Sequence, residues 1–153
     1  MLRDDLLLRT KLSPPRLRRR LLPRPGLTAK LHEAADYRLT LVQASTGYGK
    51  STALASLAES DFSIFWYSLD EADSDPHRFL SYLIAAFRSK LSLLSDAPSA
   101  VLQELGSGGA TELWMHALDA LLNALSEALD KPSLLVVDDC HFVGRKNVGV
   151  TPV

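Results

Sequence analysis

The feature that most restricts how this chain can fold is the passage from 38 to 58, RLTLVQASTGYGKSTALASLA. Residues 38–43 (RLTLVQ) read as a compact strand, and residues 50–58, rich in alanine and leucine, read as a helix. Between them a short loop carries Gly47 and Gly49, the residue type that lets a backbone curl tightly enough to turn a strand straight into a helix. Such a unit belongs in an α/β layer with a parallel sheet.

The rest of the chain supplies matching elements. Residues 27–35 allow one short helix, and 62–69 (FSIFWYSL) predict a second strand ended by an acidic loop, 70–75. Asp75 is placed to cap a helix with Pro76 at its first position, where Phe79, Leu80, Leu83, Ile84 and Phe87 make one apolar stripe. Pro98 and residues 106–109 mark loops. Thr111 is expected to cap a long helix with Leu113, Trp114, Leu118, Leu121, Leu122, Leu125 and Leu129 on its buried face, stopped by Pro132. Residues 133–137 (SLLVV) then predict a central parallel strand covered on both faces, ending at Asp138 and Asp139.

The loop spells a chemistry. Ala44-Ser45-Thr46-Gly47-Tyr48-Gly49-Lys50-Ser51 fits the phosphate-loop pattern G-x-x-x-x-G-K-[ST], with Ala44 in place of the first glycine. The glycines aim successive N–H groups inward at phosphate oxygens, and the helix start adds its partial positive charge. Lys50 brings a full positive charge and Ser51 a hydroxyl for Mg2+. A dinucleotide fingerprint fits worse, because Thr52 stands where its third glycine belongs. The apolar strand ending in Asp138-Asp139 reads as the complementary acidic half, Asp138 holding Mg2+ through water and Asp139 polarising the water that attacks the γ-phosphate.

Neighbouring side chains carry weaker signals. Two carboxylates beside Cys140 discourage its thiolate, which favours an inert thiol. His141 reads equally as a γ-phosphate sensor or a solvated turn residue. His32, His77 and His116 receive no role, and Trp66 and Trp114 read as packing.

Charge is divided unevenly. Residues 1–30 hold nine Lys/Arg against two Asp, leaving eight against sixteen for the remainder, so a net charge of −1 splits into +7 and −8. Pro14, Pro15, Pro23 and Pro25 exclude a long helix from residues 1–26, which are expected to form an extended arm serving the acidic domain rather than reading DNA. With 46% hydrophobic residues and one cysteine, a single core without disulfides is expected, and the leucines at 6–8 are too few and too flanked by charge for a membrane span.

Five landmarks in order, KLSPP (11–15), LPRP (22–25), STGYGKS (45–51), SLDEADSD (68–75) with Arg78-Phe79 and Tyr82-Leu83, and VVDDCH (136–141), resemble the MalT-type regulators of the LuxR kind, members of the STAND class of P-loop NTPases. The resemblance implies an α/β P-loop NTPase domain with a parallel sheet and flanking helices. It implies ATP and Mg2+ at Gly47, Tyr48, Gly49, Lys50, Ser51 and Thr52, with Arg24 near the nucleotide, Ser51 and Asp138 toward the metal, and Asp139 in hydrolysis.

The resemblance also implies a cytoplasmic switch module at residues 27–142, DNA binding only through a C-terminal helix-turn-helix that this sequence lacks, and self-association in the full-length parent. Residues 143–153 match nothing in the family and are expected to be an unstructured tail. The family inserts a later strand between the acidic-pair strand and the P-loop strand, so the sheet is expected to be incomplete and hydrolysis deficient. A stand-alone P-loop kinase or NTPase is the alternative; no second substrate loop supports it.

Overall fold

The computed structural model describes residues 7–17, 24–45, 47–105 and 111–142. Among the described residues, five α-helices and two strands follow one another as α1 (Pro25–His32), α2 (Lys50–Ala55), β1 (Ser63–Ser68), α3 (Pro76–Arg88), α4 (Ala97–Leu105), α5 (Thr111–Ala128) and β2 (Ser133–Asp138). The strands pair in parallel, in register from Ser63 against Ser133 to Ser68 against Asp138. Helices lie on both sides of this pair, the arrangement a parallel sheet requires to cover its two faces.

Alternation along β1 divides the core. Phe65 and Tyr67 face α3, α4 and α5, where they meet Leu80, Tyr82, Leu83, Phe87, Leu102 and Leu121. Ile64 and Trp66 face the other way, toward Leu31 of α1, Leu57 and Val136. Phe65 and Phe87 meet at a tilt of 52° with centroids 4.8 Å apart, and Tyr67 lies nearly parallel to Tyr82 at 5.6 Å. Offset aromatic contacts of this kind add to the burial of their area.

Most helix signals in the sequence have their expected cause. Asp75 caps α3 by accepting from the Arg78 amide at 2.8 Å, and Pro76 occupies the first turn. Helix α1 starts at Pro25 and passes into a 3-10 turn at Glu33–Asp36, so it sits two residues earlier than the 27–35 reading. Pro98, read as a loop mark, lies inside the first turn of α4, where its missing N–H has no intrahelical partner to lose. Among the described side chains of α5, Ala117, Leu121, Ala124 and Leu125 are buried while Leu122 is exposed, because alanines complete the inward stripe and turn Leu122 outward.

The strand expected at 38–43 is not formed. Residues 39–45 have no regular secondary structure, and Leu39 and Leu41 are 86% and 82% exposed. Only Val42 of this run packs inward, against the Ile64–Trp66–Val136 cluster. The reason is one of partners: β2 gives one edge to β1 and no described residue pairs with its other edge. The expectation that β2 is covered on both faces is corrected as well, since Leu135 is 40% exposed. The expected tail at 143–153 lies outside the described residues.

Candidate functional site

The glycines of the loop hold the backbone conformation the motif needs. Gly47 and Gly49 have φ of 83° and 75°, in the left-handed region, and an added Cβ at either would touch nothing. Backbone strain, not crowding, is therefore what excludes other residues there. The Tyr48 amide bonds back to the Ser45 carbonyl at 3.3 Å, and the Tyr48 ring is exposed. Lys50, first residue of α2, turns its Nζ back over the loop to donate to the carbonyls of Ala44 at 2.6 Å and Ser45 at 3.1 Å. Ser51 and Thr52 follow in the same half-buried first turn.

The acidic half sits at the carboxyl end of β2. Asp138 is buried, its Oδ1 accepts the Asp139 amide at 2.9 Å, and its carbonyl accepts from Leu69 at 3.0 Å. Asp139 adopts φ of 60°, a left-handed conformation that aspartate tolerates better than most residues. The chain then enters the 3-10 turn Cys140–Phe142, with the Cys140 thiol donating to the Val137 carbonyl at 3.3 Å and His141 Nδ1 4.0 Å from Asp139 Oδ1. Burial raises the Cys140 thiol above its usual range, and the charges of Asp138 and Asp139 push it further in the same direction.

The two halves are linked by apolar packing. Ala53 and Leu54 of α2 and Val42 before the loop share one cluster with Leu134 and Val136 of β2. Among the described residues no hydrogen bond or ion pair connects the loop to Asp138 or Asp139. Arg24 caps the start of α1 with its backbone, its carbonyl accepting from Leu27 at 3.0 Å and Thr28 at 2.9 Å, and its side chain is exposed.

ATP and Mg2+ can be tested against these residues. Two left-handed glycines and a lysine already turned over the loop suit a phosphate. No cluster of three His, Cys, Asp or Glu side chains able to hold a metal exists among the described residues. Ser51 and Asp138 would supply at most two ligands, as suits Mg2+, which keeps several waters and phosphate oxygens in its shell.

One constellation escaped the sequence reading. Lys11 Nζ lies 2.8 Å from Asp70 Oδ2 and also bonds Asp73, while Arg78 Nε reaches Asp73 Oδ1 at 3.1 Å. The acidic loop 70–75 and the KLSPP stretch were both visible as landmarks, but nothing local links positions so far apart in sequence.

The described structure contains no helix long and apolar enough to cross a membrane. No protein-family model matches the chain. The α/β pair and its glycine loop are those of a chain similar, over 90% of its length, to HTH-type transcriptional regulators. The relatives are the regulators MalT of Serratia proteamaculans, 39% identical over 138 residues, and of Yersinia enterocolitica and Yersinia pestis, each 36% identical over 138 residues. The chain spans about 15% of the length of these relatives. It is MalT-like throughout the matched stretch.

Proposed function

We propose that this chain is the ATP-binding part of a MalT-like, cytoplasmic transcriptional regulator, a switch whose nucleotide occupancy biases the parent protein between two states. The observation that carries the reading is the loop conformation, in which Gly47 and Gly49 are left-handed and Lys50 folds over the carbonyls of Ala44 and Ser45. In this reading the amides from Gly47 to Thr52 cradle the phosphates, with Tyr48 at the rim and Arg24 approaching from the arm. Lys50 exchanges its two carbonyl partners for phosphate oxygens. Ser51 and Asp138 would hold Mg2+, which would supply neutralisation of phosphate charge when bound, and Asp139 would orient water. DNA is met only by the helix-turn-helix of the parent, and self-association belongs to the full-length parent.

The test is calorimetric titration of the chain with ATP, with and without Mg2+. Binding is expected at millimolar nucleotide or below, lost in Lys50→Ala and weakened in Ser51→Ala only when Mg2+ is present. Equal binding by Lys50→Ala would remove the loop from the account.

A further inference from the structure

We propose that Tyr67, Tyr82, Asp70 and Asp73 form an ammonium-binding cage whose ligand is the chain's own Lys11, latching the arm onto the carboxyl end of β1. Lys11 is only 7% exposed, its Nζ bonded to both carboxylates and set 4.6 Å from the Tyr82 ring centre and 5.5 Å from that of Tyr67. Two carboxylate oxygens and two aromatic faces satisfy a compact ammonium. The Leu8 amide donates to the Tyr82 hydroxyl at 3.2 Å, and Lys11 closes a turn onto the Leu8 carbonyl at 3.0 Å, so the backbone before the lysine is held as well.

The cage is built without the arm. Asp70 caps its own turn by accepting from Ala72 at 2.9 Å, Asp73 accepts the Asp70 amide at 2.7 Å, and Arg78 braces Asp73 while lying 4.9 Å from the Tyr82 ring centre. The Tyr67 hydroxyl is fully buried and makes no hydrogen bond of ordinary geometry among the described residues. Receptor and ligand thus belong to separate pieces of chain, and the arm can leave while the receptor keeps its shape. A guanidinium is larger and planar, and it needs more acceptors than this enclosed site offers. The latch also has a place: the turn Glu71–Ser74 packs beside the turn Cys140–Phe142, so arm release changes the charge next to the acidic pair. None of this depends on the nucleotide reading.

Amide-resolved hydrogen exchange on the whole chain tests the latch. In Lys11→Met exchange at Leu8 should rise roughly tenfold or more, and in Asp70→Asn about threefold, while Phe65 and Trp66 in β1 change little. Lys11→Arg should open Leu8 as Lys11→Met does. Unchanged exchange at Leu8 would show that Leu7 and Leu12 hold the arm by apolar packing alone. An equal rise at Leu8 and in β1 in both variants would make Lys11 an ordinary part of the core, and protection retained in Lys11→Arg would refute ammonium selectivity.

Discussion

Asp70 and Asp73 share one turn but not one environment. The Asp73 side chain is fully buried and bonded to Lys11, Arg78 and the Asp70 amide, whereas that of Asp70 is 45% exposed. Removing one member of a buried charged group leaves the others uncompensated, so Asp73→Asn should cost about 3 kcal/mol in urea unfolding, and Asp70→Asn under about 1. Asp70 has a folded pKa held below the ordinary value, first by the hydrogen bond from Lys11. Its contribution is therefore present above about pH 4 and is lost as pH falls through the lower folded value. Wild type and Asp70→Asn should differ at neutral pH and converge in acid; a gap that widens below pH ~4 would contradict this. Cys140 carries the opposite shift, so its exposed thiol should alkylate more slowly at pH 7 than free cysteine, and faster in Asp139→Asn. The acidic setting of Cys140 was legible from its two neighbours in sequence. The Lys11 cage was not, because its members are distant in the chain and only the packing of the arm's turn against β1 brings them together.

At the scale of elements, local chemistry was readable where it acts alone. Asp75 and Pro76 define the start of α3 from four residues of sequence, and Asp75→Ala should cost about 1 kcal/mol without moving the helix. The run 38–43 shows the limit. Its residues have the composition of a strand, yet a strand exists only when another offers hydrogen bonds, and β2 pairs solely with β1 among the described residues. Leu39 and Leu41 are left facing solvent, and among the described residues the two-stranded sheet keeps an unpaired edge, a combination that invites intermolecular pairing. The double variant Leu39→Lys, Leu41→Lys should stay monomeric at higher concentration in light scattering, with its melting temperature nearly unchanged. A large fall in melting temperature would show that these leucines pack in solution.

Across the whole molecule, the loop and the acidic pair are positioned by different means. Asp138 is fixed by the β1–β2 ladder, whereas the loop is held by the apolar packing of Val42, Ala53 and Leu54 and not by strand pairing. An error of about 1 Å between a nucleophile's activator and its target can cost roughly a hundredfold in rate. Phosphate release above background is therefore not expected from this chain, and release that disappears in Asp139→Asn would overturn that expectation. Phosphate binding asks less, because the loop brings its glycines and Lys50 together by itself. Hydrogen exchange with and without Mg2+ and ATP examines that claim most directly. The account predicts slowed exchange at the amides of residues 44–52 in the wild type and none in Lys50→Ala; unchanged exchange there at millimolar ATP, or protection that persists in Lys50→Ala, would contradict it.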